Sequence, residues 1–262
     1  MGFDATTEQV LADVAAHLAQ ANSVLFITGA GISADSGLPT YRGVGGLYNG
    51  EATEEGLHIE EALSGDVFAI RPDITWKYLA QIEANCRGAQ PNAAHFAIAR
   101  LEEIIERVTV FTQNVDGLHR QAGSSDVIEI HGSLHDLQCT ECSHEESIVD
   151  LAGREIPPLC SSCGAVLRPK VVLFGEALPE ERMDRFLDGL EQGYDLVFSI
   201  GTSSVFPYIV EPVVWAASVG IPTVEINPSQ TKISDVVAYH LPLGAAAAMN
   251  ALLERIGLSI QS

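Results

Sequence analysis

Thr28-Gly29-Ala30-Gly31-Ile32-Ser33-Ala34-Asp35-Ser36-Gly37-Leu38-Pro39-Thr40-Tyr41-Arg42-Gly43 follows directly on the apolar run Val24-Leu25-Phe26-Ile27. A buried strand that runs into a glycine-rich turn and a helix start is how α/β folds hold a nucleotide pyrophosphate. Glycine lets backbone N–H groups approach the phosphates with no Cβ in the way. The spacing after Gly31 departs from the usual dinucleotide fingerprint, so on its own this stretch is also compatible with an ordinary turn.

Working outward, the segments on either side alternate between two periods. Thr6 to Ala21 reads as a helix with Val10, Leu11, Val14 and Leu18 on one face, and Thr6 with Gln9 suits a capping box. Asp73 to Arg87 and Asn92 to Arg107 read as helices, the second with a stripe of Ala97, Leu101, Ile104, Ile105 and Val108. Strands are expected at 108–112, 127–130, 171–174, 196–200, 222–226 and 236–241, with helices at 179–192, 207–219 and 245–256. Strands alternating with helices, and apolar throughout, indicate a parallel sheet covered on both faces. Gly43 to Gly56 has little pattern and reads as a mobile loop able to close over a ligand.

The composition narrows the function. A chain of 262 residues that is 47% hydrophobic can bury a sizeable core, and no run of apolar residues is long enough for a membrane span. The start of the chain has no signal-peptide pattern, so a cytoplasmic protein is expected. The net charge of −21 favours solubility and basic partners, and disfavours direct binding to a nucleic-acid backbone.

Polar clusters recur where strands end: Gly29 to Arg42, Gln113 to His119, His131, Gly201 to Ser204, and Asn227. Ligands of open α/β sheets sit beyond the carboxyl ends of the strands, so these clusters together outline a nucleotide site. His131 and His119 are both candidates for a proton acceptor, and their spacing does not choose between them. Cys139-x-x-Cys142 and Cys160-x-x-Cys163 supply four thiolates for a structural tetrahedral zinc, while Cys86 is left over as a small hydrophobe.

Taken in order, several stretches resemble the sirtuins, NAD-dependent protein-lysine deacylases. They are Gly29-Ala30-Gly31-Ile32-Ser33, Pro39-Thr40-Tyr41-Arg42, Thr112-Gln113-Asn114-Val115-Asp116-Gly117-Leu118-His119, His131-Gly132, the cysteine quartet, Pro169 to Glu176, Gly201-Thr202-Ser203 and Ile226-Asn227. The resemblance implies a Rossmann-like, doubly wound parallel sheet with a small zinc-ribbon plus helical-insert domain. The large part would span about 1–40, 90–136 and 170–262. The small part would comprise the insert at about 41–89 and the ribbon at about 137–169.

By the same resemblance, Gly29, Ala30, Gly31, Ser33, Asp35, Thr40, Tyr41, Arg42, Gly201, Thr202, Ser203, Asn227 and Ala245 would hold NAD. Gln113, Asn114, Val115 and Asp116 would surround its nicotinamide and ribose, with Asp116 on the carboxamide. His131 would be the general base, with Asn114 beside it. An acyl-lysine protein segment would lie as an extended strand against Val172, Phe174, Gly175 and Glu176, its acyl group near Tyr41, Leu79 and Ile82. The products would be nicotinamide, O-acyl-ADP-ribose and free lysine.

Relatives that prefer acidic acyl groups carry Tyr-x-x-Arg on the insert helix. Here Trp76-Lys77-Tyr78-Leu79-Ala80-Gln81-Ile82 supplies no Arg in either register, which implies neutral acyl groups. ADP-ribosyl transfer to protein and a non-catalytic NAD and zinc module are the alternatives. The sequence leaves the oligomeric state open, with a monomer favoured.

Overall fold

The computed structural model describes residues 2–40 and 52–259. Helix α1 (Ala5–Leu18) leads into strand β1 (Ser23–Thr28) and a 3-10 turn, Ala30–Ser36, closed by Gly37. Three helices follow, α2 (Ile59–Ala62), α3 (Gly65–Ile70) and α4 (Pro72–Cys86), and then α5 (Ala93–Leu101). After β2 (Arg107–Thr112), α6 (Leu118–Gln121) and β3 (Val127–Glu129) come three strands of a second sheet. These are β4 (Gly132–Cys139), β5 (Glu145–Ser147) and β6 (Leu167–Val171). The chain closes with α7 (Glu180–Gln192), β7 (Leu196–Ile200), α8 (Pro207–Ser218), β8 (Thr223–Ile226), β9 (Tyr239–Leu241) and α9 (Ala245–Arg255).

Six strands form a parallel sheet in the order β3-β2-β1-β7-β8-β9. The order reverses between β1 and β7, which opens a crevice at their carboxyl ends. Strand β7 is buried at every residue, and β1 at every residue after Ser23. One face is covered by α1, α5 and α9 through Leu11, Leu18, Ile98 and Leu252, with Phe26 stacked on Phe198. The other is covered by α7 and α8, where Phe186 stacks on Phe111 and Ile209 and Val213 fill the space beside it.

The second sheet, β5-β4-β6, is antiparallel and carries the cysteines. It shares a core with the insert helices. Trp76 of α4 is fully buried and donates its indole N–H to the Leu167 carbonyl at 2.7 Å. Ala62, Leu63, Phe68 and Leu79 pack against Leu134, Leu137, Leu151 and Leu173. Among the described residues, no helix is long and apolar enough to cross a membrane.

Some local expectations differ from the structure. Asp4 caps α1 by accepting the Thr7 N–H at 2.9 Å. The chain is already helical at Ala5, so Thr6 and Gln9 form no capping box. Helix α5 stops at Leu101, because β2 has to begin at Arg107 to pair with Ser23. Ile104 is consequently exposed, and Val108 belongs to the strand. The expected strand at 171–174 is not part of the parallel sheet. Val171 ends β6, opposite Gly132, and Phe174 makes a bridge to Ser64. The last strand begins at Tyr239, leaving Val236 exposed in the approach to it. Most of Gly43 to Gly56, with Tyr41 and Arg42, lies outside the described residues.

Candidate functional site

A cleft of about 850 Å³ lies where the ends of β1, β2, β7 and β8 face the second sheet and α4. Its walls include Gly29, Ala30, Gly31, Asp35, Thr40, Gln113, Asn114, Val115, His131, Gly201, Thr202, Ser203, Asn227 and Ala245, all expected from the sequence. Val172, Phe174, Gly175, Glu176, Leu79 and Ile82 line it as well. Ser33 and Asp116 instead border a small adjoining cavity, with Ala30, Ile82, Asn114 and Val115 shared between the two.

The glycine turn is built by close backbone approach. The Gly31 N–H donates to the Gly201 carbonyl at 2.8 Å. A Cβ on Gly31 would lie 2.6 Å from Gly201 Cα, and one on Gly201 would lie 2.3 Å from the Ile32 nitrogen. Gly201 also has a φ of 60°, which favours glycine. The two loops that would hold a pyrophosphate are thus interlocked without any side chain. Gly31→Ala is expected to cost about 1–3 kcal/mol through this overpacking. A tenfold weaker affinity for a dinucleotide would follow from a loss of about 1.4 kcal/mol in the displaced loop. Thermal unfolding and calorimetric titration check both, and an unchanged protein would show that the loops tolerate separation.

Hydrogen bonds tie the other strand ends to this turn. Gln113 donates to Thr202 Oγ1 at 2.9 Å, linking the ends of β2 and β7. Asn227 donates to the Thr202 carbonyl at 3.0 Å, which adds β8. Asn114 Nδ2 donates to the Gly29 carbonyl at 3.3 Å and to Ser33 Oγ at 3.2 Å. Ser33 donates in turn to Asp116 Oδ2 at 2.7 Å. Burial raises the Asp116 carboxyl above its ordinary value, opposed by the Leu118 N–H and the Ser33 hydroxyl. Such a group can pair with an amide as acceptor or donor.

The two candidate histidines lie in different surroundings. His119 is buried, 3.0 Å from Thr28 Oγ1, with its ring against His95. Burial drives its pKa well down, and it does not line the cleft. His95 is pushed down to about 4 by burial and lies 3.5 Å from Ser33 Oγ. His131 does line the cleft. Its Nδ1 is 3.0 Å from the Gln113 carbonyl, which only accepts, so Nδ1 carries the proton and Nε2 the lone pair. Nε2 is 2.7 Å from the Tyr208 hydroxyl. Burial lowers the His131 pKa, partly offset by the Gln113 bond, so the ring is neutral near pH 7.

Two expected residues have structural partners of their own. The Asp35 carboxylate accepts the Ala246 N–H at 3.2 Å and so lies at the start of α9. Glu176 accepts from both terminal nitrogens of Arg168, at 2.9 and 3.0 Å, and from the Leu173 N–H. Burial opposes its charge, but these bonds outweigh it and hold the carboxyl below its usual value. Glu176 therefore shapes the segment at 173–176, and among the described lining residues there is no Lys or Arg. Tyr208 and Phe206, beyond the Gly201–Ser204 loop, also line the cleft. They were not expected from the sequence, although they fall just past a polar cluster at a strand end.

The four cysteine sulfurs lie within 4.8 Å of one another, with Cys139 to Cys163 at 3.4 Å and Cys142 to Cys160 at 3.7 Å. Zinc–sulfur bonds of about 2.3 Å in a tetrahedron place sulfurs about 3.8 Å apart, so the donor set fits one structural zinc.

Comparison with known proteins agrees with this geometry. A family model described as the Sir2 family matches residues 29–207. A Pseudomonas syringae pv. tomato protein named NAD-dependent protein deacylase 2 is 50% identical over 245 residues, 92% of this chain and 98% of its own. A crystal structure of a Sir2 homolog–NAD complex superposes with a TM-score of 0.82 at 34% identity, covering 94% of this chain and 93% of that one. A structure described as Sir2–p53 peptide–NAD+ gives 0.79 at 28% identity, covering 94% and 98%.

Proposed function

The chain belongs to the Sir2 family and is an NAD-dependent protein-lysine deacylase with a structural zinc, and from that premise we propose how its residues divide the work and which acyl groups it takes. The observation that carries the reading is His131, neutral in the cleft, with its basic nitrogen set by the Gln113 carbonyl.

Bound in the cleft, NAD supplies an electrophilic ribose carbon as nicotinamide departs, and a ribose hydroxyl that receives the acyl group. The interlocked Gly31 and Gly201 loops would take the pyrophosphate, with Thr40, Thr202, Ser203, Asn227 and Ala245 holding the rest of NAD along the same cleft. Tyr41 and Arg42 belong to the same proposed set. Asp116, held by Ser33, pairs with the nicotinamide carboxamide in the small cavity, and Val115 walls it. Gln113 and Asn114 face the ribose. Filling of the cleft by NAD and peptide would exclude water and so strengthen the electrostatic stabilisation of positive charge developing at the ribose carbon. His131 then takes the hydroxyl proton, as a general base must.

Peptide complexes are known for a Sir2 protein of the same fold. For this chain we propose an acyl-lysine segment laid as an extended strand beside Val172, Phe174, Gly175 and Glu176, which all line the cleft. The division into a large part and a small insert-plus-ribbon part, a cytoplasmic location and a monomeric working unit belong to the same proposal, as does the absence of nucleic-acid and membrane partners.

Leu79 and Ile82, at the proposed acyl end, line the cleft together with Leu63 and Leu134 of the same apolar cluster. Gln81, the residue that the other register would have used, is exposed and does not line the cleft. Among the described residues that line the cleft there is no Lys or Arg, and burying a carboxylate without a cation costs several kcal/mol. Acetyl and longer aliphatic peptides are therefore expected to react at least about tenfold faster than succinyl peptides, each tenfold being about 1.4 kcal/mol. Mass spectrometry of such a panel reads both rate and product. O-acyl-ADP-ribose supports deacylation, ADP-ribosylated protein supports transfer, and a faster succinyl reaction overturns the acyl assignment.

A further inference from the structure

We propose that Tyr208 is a further catalytic residue, whose phenol relays the proton of the ribose hydroxyl to His131. The proposal rests on His131 being the general base. Neutral imidazole has one in-plane lone pair, here on Nε2, and the Tyr208 hydroxyl donates to it at 2.7 Å. Tyr208 and His131 line the same cavity, and the Nε2 lone pair already has the phenol as its partner, so a ribose hydroxyl in the cleft would reach that lone pair through the phenolic oxygen.

The phenol is also held in place. Tyr208 sits in the first turn of α8, directly after Pro207, and not in the loop before it. Phe206 stacks on its ring at 5.4 Å and 12°. Both rings stand nearly perpendicular to His131, at 87° and 82°. A side chain fixed by stacking and by a helix start is suited to passing a proton without moving away.

The step balances as a double proton transfer. The ribose O–H bond breaks as its proton goes to the Tyr208 oxygen, while the Tyr208 O–H bond breaks as its proton goes to His131 Nε2. Tyr208 ends as neutral phenol, His131 as imidazolium, and the ribose oxygen gains the electron pair with which it attacks the acyl-bearing carbon. No oxidant or reductant is involved. Concerted transfer avoids a free phenolate, which the ordinary tyrosine pKa of about 10 would make costly near neutrality.

The test compares His131→Ala, Tyr208→Phe and the double variant on an acetyl peptide. Two reactions are followed: complete deacylation, and exchange of labelled nicotinamide into NAD. Exchange requires acyl attack and nicotinamide departure but no deprotonated ribose hydroxyl. Tyr208→Phe keeps the stacked ring, and is expected to slow deacylation by about 10- to 100-fold while exchange stays within about twofold of wild type. The double variant should be no slower than His131→Ala, because the two groups act on one proton. Deacylation by Tyr208→Phe at the wild-type rate or faster would overturn the relay, since the phenol would then merely step aside. Parallel loss of exchange and deacylation would overturn it too, by assigning Tyr208 to binding or folding. If His131→Ala keeps its deacylation, the base assignment itself fails, and that result is distinguishable from the others.

Discussion

His131→Ala is expected to lower deacylation by about 10²–10⁴-fold, the range general-base catalysis supplies, with NAD affinity changed little. The ring touches the cleft through Nε2, and its other nitrogen is spent on the Gln113 carbonyl. Removing it takes away a proton acceptor and leaves intact the bonds that join Gln113 and Asn227 to Thr202 and Asn114 to Gly29. The wild-type pH profile should agree. As the proposed base, His131 must be neutral to act, so activity is expected above its pKa and is lost as pH falls through it. Burial lowers that pKa from 6.5, with the Gln113 bond opposing. The acidic limb of kcat/KM is therefore expected below pH 6.5. Steady-state rates across pH, with NAD affinity by calorimetry, check both statements. Unchanged turnover in the variant would remove His131 as the base.

Loss of the zinc site should have the other large effect. Structural zinc binding is worth about 10–16 kcal/mol in small domains, comparable with the whole stability of a protein. Here it closes one end of a core that also contains the insert helices. Cys160 is itself part of that core, which continues through Leu137 and Leu167 to Trp76 and Leu79. Leu79 lines the cleft, so disorder at the cysteines would reach the cleft wall, at the proposed acyl end. Cys160→Ser, or treatment with a strong chelator, is expected to abolish deacylation and lower the melting temperature by about 10 °C or more, at roughly 2–4 °C per kcal/mol. Metal analysis should find one zinc per chain before treatment. Zinc-free protein with an unchanged melting temperature and full activity would contradict the scaffold role.

The parts of this molecule that could be read from its sequence are those whose physics is local. Strands β1 and β7 are buried on both faces, so they appear as continuous apolar runs, and the polar clusters after them mark the cleft. The cysteine spacing carries its own geometry. What was not readable depends on residues distant in the chain. Tyr208 meets His131 across 77 positions, and no period or motif announces that. The Arg168 pairing that occupies Glu176 depends on how β6 turns back beside the cleft. Helix α5 was overextended because Ile104 continues its apolar stripe, whereas the register of β2 against β1 decides where the helix must end. Spacing left His119 and His131 level, and the resemblance chose His131; the structure adds that His131 lines the cleft and His119 does not.

The interlock of Gly31 with Gly201 bears on how such chains are to be interpreted through descent. Each glycine is required because the other's backbone fills the space where its own Cβ would go. Neither requirement mentions a cofactor. A descendant that lost its chemistry but kept this sheet would still be under pressure to retain both, and a change at one could not be repaired at the other. The glycines testify to ancestry and architecture. Testimony to a living enzyme would have to come from His131, the proposed base, whose Nε2 is turned to Tyr208 at the cleft.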